Sequence, residues 1–328
     1  MGGPSAEREV SLVTGKAVCA NLDRTKYLVT AVEMAKDGRF FVLPPHQRGP
    51  VVAGRNKKKR WLDLQNDDRK LFDVIFIAMH GSVGEDGAVQ GMLESWGIPY
   101  TGSGVLASAL AMNKVKTAEI YRAYGLPTPM FVDFTKEQWK KERTSLLKKI
   151  TKEIGYPAVV KPADQGSAIG VAIVKNEAEI VRAVSKTIKF FSYLMAQKFI
   201  KGQETTCGVL EDRGELIALP PTHILPKLGK FYDYKSKYKI GGSTHVCPAD
   251  FSKKINTELQ RLAMEAHRAL GCRGMSRTDI FVGDDGKFYV IETNTIPGMT
   301  PTSLFPEAAA KAGISFSRML DKIIETSF

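Results

Sequence analysis

The 328-residue sequence has no run approaching the roughly 18 consecutive apolar residues that a membrane span requires, so a membrane protein is not expected. Its opening, Met1-Gly2-Gly3-Pro4-Ser5-Ala6-Glu7-Arg8, carries charge where a secretion signal would be apolar. Ala6 also breaks the myristoylation pattern. Cysteine is scarce: Cys19, Cys207, Cys247 and Cys272 lie far apart with no Cys-x-x-Cys pair, which excludes a disulfide framework or a zinc module and suits a reduced, cytoplasmic protein. Acidic residues are outnumbered, 35 against 47 Lys and Arg, for a net charge of +12. That excess raises the question of nucleic acid. The densest basic run, Arg55-Asn56-Lys57-Lys58-Lys59-Arg60, has no interleaved aromatics and no accompanying nucleic-acid motif, so a solvated loop is expected and nucleic-acid binding is not. No internal repeat or low-complexity segment is present.

What is present is enough apolar material, 43% of the chain, for two or three packed domains. Three blocks show in the pattern of elements. In the first, residues 1–102, Leu71 to Ala78 reads as a fully buried strand because apolar, β-branched and aromatic residues dominate it. A helix from Ala88 to Trp96 and a short strand at Ile98 to Gly102 follow, and strand–helix–strand order predicts a parallel, doubly wound sheet. His80 then falls at the carboxyl end of a strand, where such sheets carry their functional loops. The second block, residues 103–196, holds a helix from Leu106 to Tyr124 and a lysine-rich helix from Glu137 to Glu153. A hairpin then pairs Tyr156–Pro162 with Val171–Val174 across the glycine-bounded turn Gln165 to Gly170. The third block, residues 197–328, contains a long polar loop from Lys227 to Ser243 and a helix from Ile255 to Leu270. A second hairpin sets Thr278–Val282 against Lys287–Glu292.

Two groups of residues carry recognisable chemistry. Asp279 on one strand of the second hairpin, with Glu292 and Asn294 on the other, offers three oxygen ligands of the hard kind that Mg²⁺ takes. The alternative is a pair of surface carboxylates, but Glu292 directly follows the apolar run Phe288 to Ile291. In the first hairpin Lys161 ends a buried strand, and the loop from Gly166 to Gly170 supplies backbone N–H groups that can approach an anion. A glycine-rich hairpin above a strand lysine is a recurrent phosphate clamp, although a glycine turn by itself is more often only a turn.

Four longer motifs, in order, resemble the D-alanine–D-alanine ligase family of ATP-grasp enzymes. They are Gly2 to Ser11, His80 to Glu94 leading into Pro99–Gly104, Gly274 to Asp279, and Glu292 to Thr300. The resemblance runs nearly the whole chain and implies a three-domain ATP-grasp fold, with ATP as co-substrate and two Mg²⁺ or Mn²⁺ ions held by Asp279, Glu292 and Asn294. It implies that Lys114 and Lys161 neutralise ATP phosphates, with Gly166 and Ser167 in the loop that closes over them. Gln197, Phe199 and Ile200 would hold adenine and Glu204 the ribose. Glu7 and His80 would lie around the first D-alanine, with Arg277 and the Gly298 N–H at the oxyanion. Lys237, Ser303 and Leu304 would line the second D-alanine's pocket, while Tyr238 would be linked to Ser167 and Glu7. A homodimer is the family's habit.

Without the resemblance, plainer readings stand beside these roles: a hydrogen-bonded core histidine for His80, a surface ion pair for Arg277, ordinary loop residues for Lys237 and Tyr238. Three departures are visible. The family opens with a strand ahead of the glycine pair, so a misplaced start and an empty apolar slot in the first sheet are expected. Ala168 stands where a second serine is usual, and Gln197 where glutamate is common.

Overall fold

The computed structural model describes residues 1–43, 60–226, 243–300 and 302–328. The basic run from Arg55 to Lys59 lies outside the described residues, as do Lys237 and Tyr238. Three sheets organise the described chain.

The first block begins with α1 (Arg8–Asn21), followed by β1 (Val32–Met34), β2 (Phe40–Val42) and β3 (Arg60–Leu62), which form a small antiparallel sheet. Parallel pairing is present as two bridges, Gly2 with Met34 and Ile75 with Tyr100. The buried strand expected from Leu71 to Ala78 is therefore corrected in extent. Leu71 closes a short 3-10 turn, and among the described residues Ile75 alone in this stretch is laddered to a neighbour. The physical reason is visible beside it. An apolar cavity of about 170 Å³ lies against Leu28–Val32 on one side and Val74–Met79 on the other, so apolar side chains line a slot where a ladder would have to continue. The helix α2 (Ala88–Ser95) follows as expected.

The long helix expected from Leu106 to Tyr124 divides in two, α3 (Val105–Met112) and α4 (Lys114–Ala123). Asn113 sits between them in extended conformation, its side chain accepting from the backbone N–H groups of Val115 and Lys116. An asparagine competes well with the helix for such donors, and here it starts a new one. Next come β4 (Phe131–Thr135), α5 (Lys136–Glu153), β5 (Ala158–Pro162), β6 (Ala172–Val174), α6 (Glu177–Thr187) and β7 (Tyr193–Lys198). Their four strands order as β4-β7-β5-β6, antiparallel throughout, over a core that includes Phe134, Trp139, Ile150, Val160 and Leu194.

The largest sheet comprises β8 (Gly202–Asp212), β9 (Glu215–Ala218), β10 (Thr222–Pro226), β11 (Ser243–Val246), β12 (Met275–Gly283) and β13 (Phe288–Asn294). Its order is β11-β10-β8-β12-β13, with β9 paired to β8. The helix α7 (Lys253–Leu270) packs its apolar face on this sheet, with Leu259, Leu262 and Ala266 fully buried. Two short helices, α8 (Leu304–Lys311) and α9 (Phe316–Glu325), close the chain. Their Phe305, Met319 and Ile323 share one core with Leu93 and Ile98 of the first block, so the two ends of the sequence pack together.

Candidate active site

The second hairpin is the centre of the site. In its register Asp279 stands directly opposite Glu292 and Arg277 opposite Asn294, with an irregularity between Asp279 and Ile280. Cross-strand neighbours approach to about 5 Å at Cβ, so two carboxylates are brought together by pairing alone. Like charges at that spacing are costly unless cations accompany them. Lys114, the first residue of α4, places its Nζ 3.1 Å from Glu292 Oε2, and Arg277 Nε lies 3.2 Å from Asp279 Oδ1. Asn294 turns its Oδ1 to accept from the Ile296 N–H at 3.0 Å, which fixes the start of the irregular segment after β13. That segment brings Gly298 against Ser303: a Cβ at Gly298 would stand 2.9 Å from Ser303 Oγ and push that hydroxyl aside. Ser303 Oγ also accepts from the Thr300 N–H at 3.0 Å, and Leu304 is buried at the start of α8.

From the other side come the first block and the glycine loop. Glu7 precedes α1 and is buried, and the Ser167 hydroxyl donates to its carboxylate. Ser167 and Ala168 both adopt left-handed backbone, with φ of 51° and 56°, so the loop holds a conformation that L-residues usually avoid. This contact joins the central block to the first one, which neither segment suggests by itself. Gly81, in the left-handed region, allows the same close approach from below, because a Cβ there would meet Glu7 Oε2 at 2.7 Å.

His80 is buried and hydrogen-bonded on its ring: Nε2 lies 2.8 Å from Thr14 Oγ1, while its backbone N–H donates to Ser11 Oγ at 2.8 Å. Burial pushes its pKa down to about 4, opposed by a hydrogen bond to the Ile296 backbone and reinforced by the Arg277 charge. His80 is therefore a neutral ring that ties α1 to the segment after β13. Glu85 was not among the residues expected from the sequence to belong to the site. It accepts from the Gly81 N–H, and burial first, then the Glu7 charge, raises its pKa to about 8. Its signal was its place in the His80-to-Glu94 motif, where a charged residue follows two glycines.

One cavity of about 610 Å³ gathers Glu7, His80, Glu85, Lys114, Gly166, Ser167, Arg277, Glu292, Asn294, Gly298, Ser303 and Leu304 on its walls. Among the described residues, six of those expected fall outside that lining. Lys161 and Gln197 instead pair with one another, Nζ to Oε1 at 2.9 Å, across the adjacent strands β5 and β7. Burial lowers the Lys161 pKa to about 8, the Glu292 carboxylate opposing and the Lys114 ammonium adding to the shift. Phe199 and Ile200 are half-buried beyond β7, where the Phe199 N–H donates to the Pro157 carbonyl at 3.3 Å. Glu204, half-buried on β8, stands beside Phe281 in register. Asp279 borders that lining through Arg277, its Oδ1 lying 2.6 Å from Thr206 Oγ1 and 3.2 Å from Arg277 Nε.

Two antiparallel-strand units beside a cleft that carries both carboxylates and cations define the ATP-grasp class, and comparison with known proteins agrees. Residues 1–103 match the D-ala D-ala ligase N-terminus family and residues 120–325 the D-ala D-ala ligase C-terminus family. The D-alanine–D-alanine ligase of Syntrophobacter fumaroxidans is 43% identical over 327 residues, 99% of this chain and 94% of its own length. That of Pelotomaculum thermopropionicum is 41% identical over 99% of this chain and 94% of its own. Among solved structures, the Bacillus anthracis D-alanine–D-alanine ligase complexed with ATP superposes with a TM-score of 0.77 at 32% identity, over 100% of this chain and 95% of that one. The VanG D-Ala:D-Ser ligase of Enterococcus faecalis gives a TM-score of 0.83 at 30% identity, over 100% and 98%. The chain belongs to the D-alanine–D-alanine ligase family.

Proposed function

We propose that the chain joins two D-alanine molecules at the expense of ATP, forming D-alanyl-D-alanine for peptidoglycan precursors, with residues 1–102, 103–196 and 197–328 as its three domains. The observation that carries this reading is the convergence, on one cavity, of Glu7 and Ser167 from one side with Lys114, Arg277 and Glu292 from the other. A carboxylate is a poor acyl donor, so its oxygen first attacks the γ-phosphorus of ATP, releasing ADP and leaving an acyl phosphate. The amine of the second D-alanine then attacks the acyl carbon, and inorganic phosphate departs.

The residues divide that work. Lys114 and Lys161 neutralise phosphate oxygens as charge moves onto ADP. Arg277 and the Gly298 N–H hold the oxygen that becomes anionic at the tetrahedral carbon. Glu7, held by Ser167, receives the first substrate's ammonium, Tyr238 is the family tyrosine that works with Ser167 and Glu7, and Ser303 and Leu304 border the second substrate. Gln197, Phe199, Ile200 and Glu204 accommodate the nucleoside. Asp279, Glu292 and Asn294 form an all-oxygen donor set, two of them anionic and paired in register, which fits divalent magnesium or manganese. Two such ions, to be counted by titration, would offset phosphate charge.

A second acceptor, D-serine, is favoured by the close superposition on the D-Ala:D-Ser ligase. No helix among the described residues is long and apolar enough to cross a membrane, which accords with a cytoplasmic enzyme; a homodimer is the assembly to look for. The test is ADP release from ATP and Mg²⁺ with D-alanine, D-serine or L-alanine, with mass spectrometry of the product. The expected outcome is D-alanine-dependent release with a D-Ala–D-Ala mass, reduced at least about 100-fold by Arg277→Ala or Glu292→Ala. ATP binding without any amino-acid-dependent turnover would overturn the reading in favour of an inactive relative.

A further inference from the structure

We infer that Thr206 is a positioning residue for the metal-binding carboxylate Asp279, a role that rests on the reading of Asp279 as a magnesium ligand. Thr206 lies on β8 directly opposite Asp279 of β12, just as Glu292 lies opposite Asp279 on the far side, so the three side chains form one row across the sheet. The threonine is 2% exposed. Its Oγ1 stands 2.6 Å from Asp279 Oδ1 and 3.2 Å from the Thr278 carbonyl oxygen. A hydroxyl has one proton to give, and the shorter contact, to the anionic acceptor, takes it.

Asp279 Oδ1 then receives two donors, the Thr206 hydroxyl and the Arg277 Nε–H at 3.2 Å. Both act on the same oxygen, which fixes the carboxylate plane and leaves Oδ2 as the oxygen for a cation. Arg277 is also needed at the oxyanion, so its hold on Asp279 is shared with chemistry. Thr206 is buried and gives its proton to Asp279 alone. Outer partners of this kind orient ligating carboxylates, and their loss weakens metal binding about 10- to 100-fold.

The neighbouring residue supplies a built-in control. Thr205 is fully buried on the same strand, but its hydroxyl donates to the Ile280 carbonyl oxygen at 2.7 Å rather than to a carboxylate. The experiment measures Mn²⁺ binding to the full-length chain in the presence of ADP by electron paramagnetic resonance, alongside the Mg²⁺ concentration giving half-maximal turnover. Thr206→Val, which keeps shape and removes the hydroxyl, is expected to weaken Mn²⁺ binding about 10-fold or more. Thr206→Ser should remain within a few-fold of wild type, and Thr205→Val should lose stability without moving the metal dependence. Should Thr206→Val fold poorly, Thr206→Ala carries the same expectation. Equal Mn²⁺ binding by wild type and Thr206→Val, or an equal loss in Thr205→Val, would overturn the proposal. Asp279→Asn separates it from the reading beneath: wild-type Mn²⁺ binding by that variant would refute Asp279 as a ligand, and Thr206's role with it.

Discussion

Lys161 is the residue whose chemistry depends most on where the fold puts it. Its Nζ is buried against Gln197 Oε1, and burial lowers its pKa to about 8. A lysine is charged below its pKa, so in the free protein Lys161 loses its positive charge as the pH rises through about 8. The affinity for ATP is therefore expected to fall as the pH rises from 7 to 9, more steeply than substrate ionisation explains. Equilibrium binding of a fluorescent ATP analogue across that range checks it. Lys161→Arg, which stays protonated, should flatten the profile. A wild-type profile as flat as that of Lys161→Arg would mean the lysine remains charged throughout.

At the scale of elements, the break between α3 and α4 matters more than either helix. Asn113 caps α4 through bonds to the Val115 and Lys116 N–H groups at 3.2 and 3.1 Å, and the next residue is Lys114, which faces Glu292. Replacing the cap by alanine removes about 1 kcal/mol. It also frees the turn that aims Lys114. Asn113→Ala is expected to lower the urea midpoint modestly and to raise the KM for ATP several-fold with a smaller change in kcat. A loss of stability with an unaltered KM would show that the cap serves the helix alone. The far end of α4 is anchored by Tyr121, whose hydroxyl lies 2.6 Å from Thr293 Oγ1 between Glu292 and Asn294. The helix thus touches β13 at both ends of its first two turns, which is why a disruption at Asn113 should be felt at the carboxylates.

Across the whole molecule, stability is distributed unevenly. The sheet through β8, β12 and β13 is laddered along its length apart from the irregularity after Asp279, and is covered by α7, whereas the segment from Phe72 to Met79 is paired, among the described residues, only through Ile75 and borders an apolar cavity. Backbone without a ladder and side chains without neighbours open at lower free energy than a packed central strand. Native-state hydrogen exchange should therefore be slowest in β8 and β12 and faster by orders of magnitude in residues 28–31 and 72–78. Equal protection in both regions would mean that the cavity does not weaken the first sheet.

The sequence by itself determined the local alphabet of this protein. The register of the turn Gly283 to Gly286 would set Asp279 against Ile291, and the irregularity after Asp279 shifts its partner to Glu292. What the turn did determine is that the two carboxylates lie on facing strands. The same holds for Lys161 at the end of a buried strand. It also gave the wrong extent to the strand from Leu71 to Ala78 and joined α3 to α4, since apolar content alone cannot report whether a neighbouring strand is present or where a side chain caps a helix. The resemblance to a family supplied roles for Glu7 and Gly298 that no local pattern contains. Only the tertiary structure decided that Ser167 reaches Glu7 across 160 residues, that His80 uses its ring inside the protein, and that Thr206 faces Asp279. Those contacts depend on how sheets and helices dock, and docking is set by the packing of whole faces, a property that no single stretch of sequence carries.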